Sequence, residues 1–233
     1  MRAALTGLLA AYLLWSLYTV RRGPKTGRFD PAAFALQAPL FLLAFIYCAR
    51  GGLLTRALVN PAAWVFGIVL GHLIFALSLL MTHGVWRDAL AHFLDLRGLR
   101  NFLAEHPVLM GRFFCVAATE EIIYRGAAQP LLAGWPGGFW LSIPLTALLF
   151  SMVHDHFFRN GSAAAAEFLL FALALGILYH LTGSLALVIL VHVTRNLESV
   201  YLEYVALVEE TGDPEHARAA VESSALGRAP EPL

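Results

Sequence analysis

Apolar runs of about 18–22 residues recur along this chain, each long enough to cross roughly 30 Å of hydrocarbon as a helix. They fall at about 3–20, 31–48, 61–82, 108–131, 138–157, 164–181 and 184–206 of the 233 residues. Short Gly/Pro-containing turns, such as Ala133-Gly134-Trp135-Pro136-Gly137-Gly138, separate them. A soluble domain of this size needs a core, but not repeated runs of this kind. With 59% hydrophobic and only 14% charged residues, the pattern predicts an all-α polytopic integral membrane bundle of about seven spans. The formal net charge is zero, so the basic face expected of a nucleic-acid binder is lacking, and that class is set aside. Cys48 and Cys115 both fall inside apolar runs. They are expected to be buried small hydrophobes rather than a disulfide or metal ligands.

The first run follows Met1-Arg2 and could pass for a secretion signal, but it has no small-residue cleavage pattern and ends directly in Arg21-Arg22. It is expected to be a retained span. Between the third and fourth runs, residues 83–106 interleave Arg87, Asp88, Asp95, Arg97 and Arg100 with Trp86, Leu90, Phe93, Leu94 and Leu99. That pattern suits an interfacial amphipathic helix lying on the bilayer. Alternate span ends carry Arg21, Arg22, Lys25, Arg28, Arg87, Arg97, Arg100, Arg159, Arg218 and Arg228 on one side, against Arg2, Arg50 and Arg56 on the other. The richer side is expected to be cytoplasmic, which puts the N-terminus outside and the C-terminus inside. Residues 1–207 are expected to form the membrane-embedded domain, and 208–233 a polar, disordered cytoplasmic tail with a short helical stretch near 215–221.

The stretch Thr119-Glu120-Glu121-Ile122-Ile123-Tyr124-Arg125-Gly126 sets three charges between two apolar segments. At roughly 2.5–3.5 kcal/mol each on insertion scales, Glu120, Glu121 and Arg125 would cost about 7–10 kcal/mol before pairing. Glu121 and Arg125 are four residues apart and stack on one helical face as a charge-assisted pair, whereas Glu120 is rotated by about 100° and stays free. The next run carries Phe150-Ser151-Met152-Val153-His154, and the last carries His192-Val193-Thr194-Arg195-Asn196. In each, a spacing of four puts the polar residue and its partner on one stripe. A carboxylate beside a histidine can act as general base toward water, and an amide and an imidazole can donate to an oxyanion. That is the composition of a peptidase site. Asp155, His156, Arg195 and Glu198 lie nearby in sequence and are expected at helix ends or as supporting partners.

There is no H-E-x-x-H pair of a zinc protease helix. Ser184 sits in Thr182-Gly183-Ser184-Leu185, a tight turn entering a helix rather than a nucleophile. No paired-aspartate site can be assembled. Glu120, Glu121, His154 and His192 together remain an alternative zinc ligand set. A non-catalytic immunity or scaffold protein that uses the polar core for packing is a second alternative. A proton-coupled transporter ranks last, because the broken-helix pairs of repeated transporter halves are missing.

Assembled in this order, the motifs resemble the CPBP family, also called the ABI family, of CAAX prenyl endopeptidases and bacteriocin-processing membrane proteases. E-E-x-x-x-R appears at 120–125, F-x-x-x-H at 150–154 and H-x-x-x-N at 192–196. The segment from Phe171 through Gly176, Tyr179 and Gly183 to Leu185 resembles the family's glycine-bearing lead-in helix and turn. The resemblance covers about 111–201. It implies an intramembrane endopeptidase in which Glu120 and His154 activate water, His192 and Asn196 stabilise the oxyanion, and Glu121 and Arg125 support them. A glutamate-dependent mechanism without a cofactor is implied, with zinc as the alternative. The implied partners are the lipid bilayer and a membrane-anchored or lipidated substrate. Without a eukaryotic targeting signal, the expected location is a bacterial inner membrane; prenylated C-terminal peptides are one expected substrate class, and a peptide pheromone, a bacteriocin precursor or a C-terminal sorting anchor are the favoured alternatives. The N-terminal spans and His180 have no counterpart in the resemblance.

Overall fold

The computed structural model describes residues 1–22, 31–54, 60–83 and 86–225, and all regular structure among them is helical. Two helices, α1 (Arg2–Arg22) and α2 (Pro31–Arg50), pack on each other at the N-terminal side. The long α3 (Pro61–His83) follows, then the short α4 (Trp86–Leu94) and α5 (Leu96–Glu105). The chain next runs unbroken through α6 (Pro107–Glu121), a π-helical turn (Ile122–Ala128) and α7 (Gln129–Ala133). After it come α8 (Gly138–Met152), the short α9 (Asp155–Arg159), α10 (Gly161–Thr182), α11 (Leu185–Thr211) and α12 (Pro214–Ala225).

Among the described residues, four helices are long and apolar enough to cross a membrane, namely Pro31–Arg50, Pro61–Thr82, Gly161–Thr182 and Leu185–Thr211, and Gly138–Met152 is a shorter apolar helix. Their outward faces keep large apolar side chains exposed, including Phe66, Leu77 and Leu181, as helices immersed in hydrocarbon require. The protein is an integral membrane helix bundle.

Several boundaries differ from the sequence-based expectation, for local reasons. The expected 138–157 span stops at Met152, because His154 turns its ring back to bond the Phe150 carbonyl, with Nδ1 2.7 Å from that oxygen. The interfacial segment is two helices rather than one. Asp95 breaks it, and its carboxylate accepts the Gly98 N–H at 2.9 Å as the N-cap of α5 and the Tyr201 hydroxyl at 2.6 Å. The expected division at 207/208 falls inside α11, which ends at the left-handed Gly212. Beyond it α12 packs back on α11, with Ala217 and Val221 buried. Residues 226–233 lie outside the described residues, as do Lys25, Arg28, Arg56 and Arg228 of the charge count and the side chains of Asp155 and His156.

The centre of the bundle is the α3–α11 pair. A Cβ at Gly67 would lie 2.7 Å from Leu190 Cβ, and one at Gly71 would lie 2.7 Å from Thr194 Cβ. Two glycines one turn apart therefore let the backbones approach closely, the small-residue device of membrane helix pairs. Gly71→Val should force the two helices apart, at a cost of about 1–3 kcal/mol. A lower melting temperature in detergent checks this. Because α11 carries His192 and Asn196, its position against α3 also sets theirs.

Candidate active site

The π-helical turn begins directly after the paired glutamates, and π-turns inside α-helices occur frequently at functional sites. All seven of its residues are buried. On one side, Cys48 of α2 packs against Gly126, where a Cβ would fall 2.5 Å from its sulfur. On the other, Arg125 Nη2 donates to the Ala172 carbonyl of α10 at 3.0 Å and Gln129 Nε2 donates to the Gly176 carbonyl at 3.0 Å. The turn is thus clamped from two directions, and Glu120 and Glu121 enter the centre of the bundle from its first end.

The two glutamates occupy different environments. Glu121 is fully enclosed at 0% exposure and accepts from Arg125 Nη1 at 3.1 Å. Glu120 is 19% exposed and faces two imidazoles. His154 Nε2 lies 3.5 Å from its Oε1 and His192 Nε2 lies 3.7 Å from its Oε2, so one ring flanks each oxygen.

The hydrogen bonds behind the rings settle their tautomers. Nδ1 of His154 meets a backbone carbonyl, an acceptor only. Nδ1 of His192 lies 2.8 Å from Glu121 Oε1, the same carboxylate oxygen that accepts from Arg125. Each Nδ1 therefore carries a proton and donates it. In the neutral ring, Nε2 then presents a lone pair toward Glu120. A carboxylate and two basic nitrogens converge on one partly open point, an arrangement suited to receiving protons.

Phe150 is the floor of the site. It is completely buried, with His154 at 4.7 Å between ring centroids, His192 edge-on at 5.8 Å and the Arg125 guanidinium 4.5 Å above its ring. Phe168 sits edge-on to His154 at 5.0 Å and Phe171 to His192 at 5.5 Å. Sequence reasoning missed Phe168 and gave Phe171 no place at the site, because nothing in an apolar helix separates a phenylalanine that faces a site from one that faces lipid.

The structure thus brings together Glu120, Glu121, Arg125, His154 and His192. Asn196 lies one turn beyond His192 on α11 and is half-buried. Arg195 and Glu198 pair outside the cluster around Glu120, Arg195 lying over the Phe171 ring at 4.6 Å. Arg195 makes two bonds to Glu167 at 3.0 and 2.9 Å, with Ser78 also bonded to that carboxylate, and Glu198 pairs with His72 Nδ1 at 2.8 Å. These pairs tie α10 and α3 to α11. Ser184 is the N-cap of α11, its hydroxyl accepting the Leu187 N–H at 3.2 Å, and Gly183 closes α10 in the left-handed conformation. His180 stacks on Phe139 at 4.3 Å.

Of the four residues of the alternative zinc set, Glu120, His154 and His192 converge, whereas Oε1 of Glu121 is shared by Arg125 and His192 and orients an imidazole. Among the described residues, no group of three or more His, Cys, Asp or Glu side chains has metal-holding geometry.

An apolar cavity of about 600 Å³ lies between α3, α5, α6 and α11. Leu190, Val193, Thr194 and Leu197 line it from α11, the face roughly opposite His192 and Asn196, and none of the candidate catalytic side chains opens into it. It is a separate lipid-side feature.

Residues 103–197 match the model of a protein family described as type II CAAX prenyl endopeptidase Rce1-like. No curated protein and no solved structure matches the chain. The matched segment begins in α5 and ends on α11, so it contains every side chain of the cluster around Glu120. Over that segment the chain resembles the CPBP (ABI) family of CAAX membrane proteases.

Proposed function

We propose that this protein is a glutamate-dependent intramembrane endopeptidase that hydrolyses a peptide bond in a membrane-anchored or lipidated protein or peptide. The observation that carries this reading is the position of Glu120, partly open and flanked on each oxygen by an imidazole whose proton points away from it. A water held there loses a proton to Glu120 as its oxygen attacks the scissile carbonyl carbon. His154, 3.5 Å from that carboxylate, takes part in the proton's onward transfer to the leaving amine nitrogen as the C–N bond breaks. His192 and Asn196 stabilise the oxyanion. For His192 this role requires protons on both ring nitrogens, since Nδ1 is committed to Glu121. Glu121 and Arg125 hold His192 in its orientation.

The membrane setting and the prenyl endopeptidase family model support a prenylated C-terminal peptide as the first candidate substrate. The test is cleavage of a fluorogenic prenylated peptide by the purified protein in liposomes, with the cut mapped by mass spectrometry. Absence of cleavage across prenylated and membrane-anchored peptides would sink the proposal. Because Glu121 is tied to Arg125 and His192, activity should stay within about twofold after EDTA treatment. Strong inhibition reversed by added zinc would instead assign Glu120 and the Nε2 atoms to a metal.

A further inference from the structure

Tyr124 is the residue of the π-helical turn that the function above leaves without a role. Tyr124 is 2% exposed, yet among the described residues its hydroxyl has no hydrogen-bond partner. A buried phenol ordinarily finds one. It stands four residues after Glu120, in the same face of the helix, and its ring meets the site floor Phe150 edge-on at 5.2 Å. The ring therefore stands one turn from the candidate base and packs on the floor of the site.

Three explanations of the orphaned hydroxyl can be compared. A structural hydrogen bond has no partner among the described residues. A purely apolar role would be filled as well by phenylalanine, without burying a polar atom at a cost. The third is a donor whose partner arrives with the substrate. The π-turn favours this one, since it is a costly irregularity that sets the direction of this side chain and of Arg125.

We propose that Tyr124 is a substrate-binding residue of the active site, its phenolic O–H donating to a peptide carbonyl of the substrate held beside Glu120. This rests on the endopeptidase reading, which puts a peptide at that point. No bond is made or broken by the phenol.

The test uses the full chain in detergent micelles and a fluorescently labelled prenylated peptide. In the Glu120→Gln background, where cleavage is blocked, Tyr124→Phe should weaken binding of this peptide about three- to tenfold, the range of one neutral hydrogen bond. In the otherwise unaltered protein, Tyr124→Phe should lower kcat/KM by at least the same factor. The melting temperature should hold or rise, because the hydroxyl is bonded to none of the described residues. A binding change below threefold, or a fall in melting temperature that reveals a structural bond, overturns the assignment. The two failures are distinguishable. If the parent protein cleaves nothing, the endopeptidase reading fails, whereas an active parent with an unchanged Tyr124→Phe variant fails only the tyrosine.

Discussion

Glu120→Gln protein, folded and reconstituted in liposomes, should cut a prenylated peptide at least about 100-fold more slowly than the parent, the usual scale for loss of a positioned general base. The amide is nearly isosteric with the carboxylate, and Glu120 holds no structural bond comparable to the Glu121–Arg125 pair. Its melting temperature should therefore stay close to the parent's. That separation of activity from stability distinguishes a catalytic carboxylate from polar packing in a scaffold or immunity protein, where the substitution would loosen the bundle. Equal rates for the two proteins would remove Glu120 from the chemistry. His154→Ala is expected to follow the same pattern with a smaller activity loss, since the ring flanks only one oxygen of the base.

Arg125→Leu should have the opposite signature. Arg125 and Glu121 are both 0% exposed, and the guanidinium also donates to the Ala172 carbonyl and covers Phe150. Removing it leaves Glu121 charged in a low-dielectric interior, a loss of about 3–5 kcal/mol for breaking a buried pair. The variant should melt at a much lower temperature in detergent, and activity should vanish with the fold. Glu121→Leu introduced into the same protein should recover part of the stability, because an apolar pair is cheaper to bury than one unpaired charge. A double variant as unstable as the sum of its parts would show that the two residues do not act as a pair.

The helical membrane fold was legible because apolar runs of spanning length leave few other structures available in lipid. The division of labour between the adjacent glutamates was legible too. A spacing of four joins Glu121 to Arg125, and the 100° step between neighbours turns Glu120 elsewhere. Helix ends were read less well. The 138–157 run looked continuous, since hydropathy carries no sign that the ring of His154 would bond back to Phe150. The amphipathic stretch looked like one helix, because a capping Asp95 reads in the sequence like any other charge of the polar face, and the Tyr201 that also bonds it is more than a hundred positions away.

What this sequence determined by itself was the inventory and its local order: helices of spanning length, a charge pair one turn apart, and polar residues on single stripes of three helices. These follow from interactions over one or two turns, which the chain carries wherever it folds. Only the tertiary structure decided which stripes meet. Nδ1 of His192 reaches Glu121 across 71 positions, and that contact alone orients Nε2 toward Glu120. Likewise, Phe168 and Phe171 became walls of the site, and Tyr124 came to pack on its floor with a hydroxyl unbonded among the described residues, because α2 and α10 close around a π-turn. Contacts of that kind depend on helix phase and approach distance, set by side chains as far away as Gly67 and Gly71, so they exist only once the bundle is assembled.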